Sequence, residues 1–407
     1  MTNTSLTRST RGRVGLAFLW LVLIGLNGGA NGVILPSLGT FYQIGEGVVG
    51  LLFLVSSLGY FLAALGSGLL VERLGLRWLI ALGAAAMLLG MLCFMLHLPF
   101  VLLLPGRLCI GFGFGIIETG LNIYIISLPR HTILLNYLHA FYGVGALIGP
   151  LLATAIIALL WGWNSVYVVL ASMGLVLLGG SLLLMQEAPG TEKAASTETR
   201  GNVLGATLAL PIIWLTSLFL LLYVGVETSV GSWAYTFLLQ TRALDALSAG
   251  WVVSGYWLGL TLGRFIIQQQ AERMNIGNAA LMSGCLVSVM IGLLLIWLVP
   301  TGVIAAIGFC FIGFSLAPIY PLTVAIIPRL VPERLGASAI GLLVSLSIIG
   351  LALFPWLAGI LAQFMGIWTL LPYSLALTLA TLGLWFYLAR PVNRSEEQVV
   401  REEQIVS

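Results

Sequence analysis

Gly68-Leu-Leu-Val-Glu72-Arg73-Leu-Gly75-Leu-Arg77 is a short charged stretch that separates two long apolar runs in the first quarter of the chain. Its glycines permit a tight turn, because glycine tolerates backbone conformations that other residues avoid. Its carboxylate and two arginines are costly in hydrocarbon, so the stretch belongs at a membrane surface. It therefore predicts a turn between two membrane-spanning helices.

The composition of the whole chain agrees with that interpretation. Of 407 residues, 60% are hydrophobic and 8% are charged, and the mean hydropathy is +1.09. A soluble domain usually carries about 25% charged residues, and a helix needs roughly 20 apolar residues to cross a bilayer. Apolar runs of that length recur along nearly the whole sequence, which predicts an all-α, multi-pass membrane protein without a soluble domain.

We predict twelve transmembrane helices, and the basic residues between them indicate their orientation. Loops on one side hold fourteen arginines and lysines, whereas the other side clearly holds only Arg242. Because basic loops stay in the cytoplasm, both termini are predicted to be cytoplasmic, in a cytoplasmic (inner) membrane. The helices are placed at 13–36, 47–70, 77–98, 103–127, 134–158, 163–185, 207–238, 247–269, 277–299, 302–327, 335–362 and 366–389.

A polar stretch at 186–206 divides the chain into two halves. Its composition is that of a flexible linker. It separates an N-terminal six-helix bundle at 1–185 from a C-terminal six-helix bundle at 207–389, which is followed by a cytoplasmic tail at 390–407. The halves are therefore predicted to be separate domains.

Spaced motifs recur in the two halves. Ile110-Gly111-Phe112-Gly113 is echoed by Ile312-Gly313-Phe314-Ser315, and Pro150 is echoed by Pro355. Their agreement in order and spacing predicts a duplication that yields two pseudo-symmetric bundles.

The charged turn resembles the Gly-x-x-x-Asp-Arg-x-Gly-x-Arg signature of the major facilitator superfamily, with Glu72 in place of the usual aspartate. Arg107-Leu-Cys-Ile-Gly111-Phe-Gly113 and Gly143-Val-Gly145-Ala-Leu-Ile-Gly149-Pro150 resemble the superfamily patterns of helices four and five. The resemblance implies two halves that rock about a site at the membrane midplane. It also implies a gating loop whose charges pair across the halves, with a plain basic surface loop as the alternative. The gating residues are Gly68, Glu72, Arg73, Gly75 and Arg77.

Polar residues within the helices narrow the resemblance to the fucose–proton symporter branch. Glu118-Thr119-Gly120-Leu-Asn122 and Leu135-Asn136-Tyr137-Leu-His139-Ala-Phe141 are similar to its Glu-Thr-x-x-Asn and Leu-Asn-x-x-Gln-x-Phe sequences. Asn31-Gly32-Val-Ile-Leu35-Pro36 is similar to its Asn-Asp-x-Leu-Leu-Pro, but Gly32 replaces the aspartate. This chain carries Glu227 instead, where that branch has a neutral amide.

Glu118 and Glu227 are the only two of the fourteen acids that fall within apolar spans. A charge near the bilayer centre costs at least ~3 kcal/mol, so each acid indicates an internal cavity or a proton site. We predict that they serve proton coupling, with Glu118 acting either alone or together with Glu227. The alternatives are a structural pairing of Glu118 with Arg107 or a hydroxyl, and exposure of Glu227 to water where Gly225 and Gly231 break its helix.

Neutral polar residues complete the predicted substrate site. Sugar hydroxyls lose water on entering a protein and must be hydrogen-bonded again, and amides supply both donors and acceptors. His139 can also relay protons near neutral pH or simply pack, and Trp233 can stack on a sugar ring. The predicted substrate-binding residues are Asn31, Glu118, Asn122, Asn136, His139, Glu227 and Trp233.

The sequence thus predicts a secondary transporter that moves a small polar solute, above all a monosaccharide, by alternating access with proton symport. An exporter of amphiphilic compounds, a sugar uniporter favoured by Gly32, and a sensor or scaffold of transporter shape stay open. The sequence contains no nucleotide loop, metal cluster or nucleophile–base pair, so we predict no enzymatic activity, cofactor, metal ion or nucleic-acid partner. We expect a monomer whose partners are a sugar-like solute, protons and the lipid bilayer.

Overall fold

The chain is helical throughout the residues that the structure describes. This computed structural model describes residues 8–159, 161–185 and 200–406, and no strand occurs in those ranges. The prediction of an all-α protein is confirmed. Three short 3-10 helices lie at Ile327–Arg329, Glu333–Leu335 and Ile367–Thr369. The α-helices are Arg8–Tyr42 (α1), Glu46–Met95 (α2), Phe100–Ile126 (α3), His131–Ala158 (α4), Asn164–Leu184 (α5), Arg200–Leu208 (α6), Pro211–Arg242 (α7), Ala246–Arg273 (α8), Asn278–Leu298 (α9), Gly302–Leu316 (α10), Ile319–Ile326 (α11), Gly336–Met365 (α12) and Leu370–Val406 (α13).

Ten helical segments within the described ranges are long and apolar enough to cross a membrane. Even a 21-residue helix such as α9 extends about 31 Å, the thickness of a hydrocarbon core. The count differs from the twelve predicted helices for two reasons. The α2 helix joins two predicted spans, and α8 is long enough but contains many polar residues. The multi-pass membrane architecture is confirmed.

The α2 helix has 50 residues, more than twice the length that one crossing needs, and it is kinked at Gly75. Gly75 has φ 73° and ψ 164°, a conformation that glycine adopts readily and other residues avoid. The predicted turn between residues 70 and 77 is therefore wrong in its extent. It contracts to one non-helical residue, because the helix hydrogen bonds resume on both sides.

Three other boundaries differ from the prediction. The end of the predicted linker is helical, as α6, while linker residues 186–199 lie outside the described residues. The predicted tenth helix is broken after Leu316, because Pro318 lacks an N–H group and restricts the residue before it. The last helix continues through the predicted tail to Val406.

The chain divides into two compact units. The first comprises Met1–Ala195 and Asp245–Ser254, and the second comprises Ser196–Leu244 and Gly255–Ser407. The segment at the start of α8 thus groups with the first unit. The domain limits taken from the sequence stay a prediction.

Each unit contains the same kind of close helix contact, made by a pair of glycines. A Cβ atom at any of these four glycines would lie far inside the contact distance of a backbone oxygen on the neighbouring helix. Only glycine therefore allows these backbones to touch. The distances from such a Cβ are 2.0 Å for Gly111 to Ser56 O and 2.2 Å for Gly59 to Leu108 O in the first unit, and 2.1 Å for Gly313 to Tyr256 O and 2.3 Å for Gly259 to Cys310 O in the second.

Candidate functional site

Glu118 lies in α3 of the first unit and is partly buried. The Tyr60 hydroxyl, on α2, donates a hydrogen bond to its Oε2 atom at 3.2 Å. The two helices approach closely here, since a Cβ on Gly115 would lie only 3.1 Å from the Tyr60 carbonyl oxygen. Small residues on α3 thus bring a phenol from the neighbouring helix to the carboxylate.

Asn122 follows Glu118 by four residues and therefore lies on the same face of α3. Its Oδ1 atom is buried and has no hydrogen-bond partner among the described residues. A buried acceptor without a donor costs roughly 1–3 kcal/mol. This face of α3 therefore presents two acceptors to any group that can donate hydrogen bonds, such as a hydroxyl.

The other predicted site residues of the first unit lie on α1 and α4. Asn136 and His139, on α4, are exposed, and Asn31, on α1, is partly buried. His139 is close enough to Glu118 to act on it electrostatically. Within the described residues, neither Asn31 nor Asn136 forms a hydrogen bond with Glu118.

Arg107 is a second charged residue of α3, and it is only 6% exposed. Its Nη1 atom donates to Asn27 Oδ1 on α1 at 3.5 Å, a long hydrogen bond, and its Nε atom has no partner in the described part of the chain. It precedes Glu118 by eleven residues, about 16 Å along the helix. The two charges of α3 therefore do not pair directly.

Glu227 lies in α7 of the second unit within a network of phenols. The Tyr223 hydroxyl donates to its Oε2 atom and also lies 3.1 Å from the Leu316 carbonyl oxygen. The Tyr256 hydroxyl, on α8, donates to the Glu227 backbone carbonyl at 2.8 Å. Both phenols are buried, and Arg264 acts on both electrostatically. Glu227 is thus held through its side chain and through its backbone.

Trp233, two turns after Glu227, is 1% exposed. Its indole N–H donates to the Pro355 carbonyl oxygen at 2.8 Å. Trp233 thus ties α7 to α12, and its stacking on a sugar stays a prediction.

The predicted gating residues are placed around the α2 kink. Glu72 and Arg73 are exposed, whereas Arg77 is partly buried with its guanidinium 5.5 Å from the centre of the Trp78 ring. A Cβ on Gly68 would meet nothing within 4 Å, so packing does not require glycine there. The kink requires Gly75, and gating by the whole set stays a prediction.

The described residues contain neither a cluster of potential metal ligands nor a disulfide bond. No group of three or more His, Cys, Asp or Glu side chains there is arranged to hold a metal ion. All four cysteines, Cys93, Cys109, Cys285 and Cys310, are free thiols.

Tyr60 and Tyr223 contact the two acids, and only Tyr223 lies in a sequence motif, Tyr223-Val-Gly225-Val-Glu227-Thr228. Tyr223 does carry a signal, since residues four apart on a helix meet on one face. Tyr60 precedes its partner by 58 residues and lies on another helix. Only the three-dimensional structure reveals that contact.

Two units that repeat the same helix contact, built from membrane-spanning helices with isolated carboxylates, define the class of secondary membrane transporters. A family model described as Major Facilitator Superfamily matches residues 17–250 and 230–405. The chain therefore belongs to the major facilitator superfamily, as its motifs predict.

Two relatives in sequence cover most of the chain. It is 26% identical over 388 residues to Bypass of stop codon protein 6 of Saccharomyces cerevisiae, which covers 86% of this chain and 76% of that protein. It is 22% identical over 279 residues to the glucose/mannose transporter GlcP of Bacillus subtilis, covering 66% of this chain and 68% of that protein.

Solved structures agree with the fold. A bacterial homologue of the human lysosomal transporter Spinster, in an inward-facing, unoccupied conformation, matches with a TM-score of 0.79 and 15% identity, covering 96% of this chain and 99% of that chain. A D-xylose–proton symporter matches with a TM-score of 0.76 and 14% identity, covering 92% and 97%. Likeness at these identities shows the fold alone. None of these four matches singles out the fucose–proton symporter branch, which stays a prediction.

Proposed function

We propose that this transporter is a proton-coupled carrier of a small polar solute, with monosaccharides as its substrate class. It acts as a monomer in a cytoplasmic membrane, with both termini in the cytoplasm, and works by alternating access. Family membership establishes transport, and the proposal adds the solute and the coupling ion.

The Tyr60–Glu118 contact carries the proposal. A carboxylate offers about four acceptor sites, and Glu118 accepts one hydrogen bond from the described residues, at 3.2 Å. Acids within membrane spans mark substrate or proton pathways. Glu118 retains acceptor sites that a solute or a proton can occupy.

The neighbouring amide supports a sugar as the solute. Asn122 Oδ1 is buried and lacks a donor, so it and Glu118 together favour a ligand with several hydroxyl groups. The similarity to a glucose/mannose transporter points to the same class, as does the resemblance of the Glu118–Asn122 stretch to fucose–proton symporters. His139 acts electrostatically on Glu118, and we propose it as a proton relay for that carboxylate.

Uptake into proteoliposomes tests the proposal. The purified chain is reconstituted and supplied with a panel of labelled hexoses, pentoses and nucleosides, with and without an inward proton gradient. We expect one or a few sugars to accumulate above equilibrium only when the gradient is present. Absence of sugar uptake under every gradient would refute the substrate class.

Uniport is the second candidate, because Gly32 replaces the helix-one carboxylate of the resembled branch. It predicts sugar equilibration without accumulation, whatever the proton gradient. The same assay separates the two, since a uniporter gives equal final levels with and without the gradient. Efflux of an amphiphilic dye from loaded vesicles, without sugar uptake, would favour the exporter.

A further inference from the structure

The Tyr223 hydroxyl lies between two hydrogen-bond acceptors. It contacts Glu227 Oε2, and its oxygen is 3.1 Å from the Leu316 carbonyl oxygen. A phenol has a single proton and donates to one acceptor at a time. Both contacts are satisfied together only when the Glu227 carboxyl carries a proton and donates it to the phenol oxygen.

Ionisation of Glu227 changes which acceptor receives the hydrogen bond of the Tyr223 hydroxyl. A charge-assisted hydrogen bond is roughly twice as strong as a neutral one, so a carboxylate takes the phenol O–H from a neutral carbonyl. One proton leaves the Glu227 carboxyl, and the Tyr223 O–H turns from Leu316 to Glu227. The phenol keeps its own proton throughout.

Leu316 occupies a position where the loss of a donor matters. It is the last residue of α10, and Pro318 follows in the break before α11. The last carbonyls of a helix lack donors from their own helix. Leu316 and Tyr223 are both 1% exposed, so bulk water has little access to replace the phenol. Tyr223 therefore caps the break from α7.

We propose that Tyr223 is a positioning residue that links the protonation state of Glu227 to the order of the α10–α11 break. Neutral Glu227 leaves the phenol on Leu316 and the break capped. Ionised Glu227 withdraws the phenol and loosens the break. This inference rests on the part of the proposed function that gives Glu227 a proton to exchange, and it is independent of the solute.

The surrounding groups leave this choice of acceptors intact. Two titratable or charged groups of the described residues, Tyr256 and Arg264, face the Tyr223–Glu227 pair from α8. Tyr373, on α13, faces α7 at a point farther along that helix. Tyr256 donates to the Glu227 backbone carbonyl and not to its carboxyl. Tyr223 is therefore the group that transmits a change in the protonation of Glu227.

Hydrogen–deuterium exchange of the full chain in lipid nanodiscs tests the inference without solute or gradient. Protection factors, corrected for intrinsic exchange, are measured from pH 4.5 to 8.5 for peptides that contain Ala317, Ile319 and Tyr320. We expect wild-type protection to fall about fivefold as Glu227 ionises, since a capping hydrogen bond is lost. Glu227→Gln should stay protected at every pH, and Tyr223→Phe should stay weakly protected at every pH.

Tyr373→Phe is the matched control. Tyr373 donates to the Phe354 carbonyl oxygen at 3.0 Å, a phenol–carbonyl bond of the same kind with no carboxylate on the phenol. The Tyr373→Phe variant should show the same fall in protection with rising pH, here called the pH step, as the wild-type protein. Glu118→Gln should show it too. A wild-type protein without the step, or a step that survives in Tyr223→Phe, overturns the inference. If Tyr223→Phe does not fold, a step that survives in Glu227→Gln overturns it instead. Loss of sugar uptake with an intact step would count against the proposed function alone.

Discussion

Gly111 in the first unit and Gly313 in the second each allow two helix backbones to touch, at positions that the sequence repeat aligns. The acids of the two units are held differently. Glu118 receives one phenol from another helix, whereas Glu227 shares a phenol of its own helix with a carbonyl at a helix break. The two units thus share this helix contact, while the polar groups around their acids differ.

Under the proposed function, this difference suits the two acids to different tasks. Glu118 has free acceptor sites and an unsatisfied amide beside it, which suits it to bind solute and exchange protons. Glu227 is enclosed in hydrogen bonds that reach α8 and the end of α10, which suits it to change conformation. The functional roles in this chain are therefore best sought where its halves differ.

Replacing each of the two acids by glutamine should give the largest effect on transport. Equal effects of the two replacements would contradict the difference between the units. Glu118→Gln should lower the initial rate of gradient-driven uptake at least about 100-fold, because a proton-transfer group contributes that much or more to a rate, while leaving counterflow exchange. Glu227→Gln should keep measurable accumulation. Proteoliposome uptake measures both, and equal losses in the two variants would contradict separate tasks.

Alanine at the repeated glycines should destabilise both units alike. Gly111→Ala and Gly313→Ala each push a Cβ into a backbone oxygen, which we expect to cost about 1–3 kcal/mol. Thermal unfolding in detergent, followed by tryptophan fluorescence, measures the loss. Gly179→Ala and Gly284→Ala are matched controls, since a Cβ at either position meets nothing within 4 Å, and they should be neutral or stabilising. A loss in one unit alone would show that the repeat is not structural.

Buried indoles sharpen the comparison at a smaller scale. Trp233 in the second unit and Trp20 in the first are both buried, and each N–H donates within its own unit, at 2.8 Å to Pro355 and at 2.9 Å to Ser181. Phenylalanine at either position should cost about 1 kcal/mol of stability and leave the KM for sugar unchanged. A raised KM in Trp233→Phe alone would support the predicted stacking role.

The smallest effect is expected where the chain returns to the first unit, at the start of α8. Asp245 Oδ1 accepts the Ser248 N–H at 3.0 Å, and the side chain and backbone of Ser248 hold the pKa of this exposed carboxyl below its ordinary value. Folding lowers the pKa of Asp245. The ionised carboxylate therefore stabilises the fold above about pH 4, and this stabilisation is lost as the pH falls through the folded-state pKa. Asp245→Ala should lower the Tm by about 2 °C at pH 7 and by less at pH 3. Asp245→Asn, which can still cap the helix, is the control, and an equal shift at both pH values would contradict the ionised cap.

Much of the fold could be predicted from the sequence, because hydropathy and turn chemistry act locally. The family follows from the stretch around Glu72 and Arg73, and most helix ends lie close to their predicted positions. The extent of the turn at Gly75 could not be predicted. A helix interrupted by one glycine and a loop of six residues have the same composition, and only the backbone angles distinguish them.

The candidate site divides in the same way. Glu118 could be singled out because an acid in an apolar span is costly, and Asn122 because its stretch resembles the fucose–proton symporter branch; their part in a site stays a prediction. The partners Tyr60 and Leu316 could not, since they precede or follow their contacts by 58 and 93 residues. Trp233 could not be assigned from the sequence, because an aromatic ring near an acid has the same signature whether it faces a ligand or is buried.

Arg107 and Glu118 are the two charged residues of α3, and Arg107 is buried with an amide as its hydrogen-bond partner. With both groups ionised, the helix has no net charge, and a proton on Glu118 makes it +1. Moving one elementary charge across a membrane potential of 100 mV changes the free energy by about 2.3 kcal/mol. Because of the buried arginine, a proton bound at Glu118 would give α3 a net charge, and the ionised acid would leave it without one. Under the proposed function, a displacement of α3 along the membrane normal would therefore respond to voltage in the proton-loaded state.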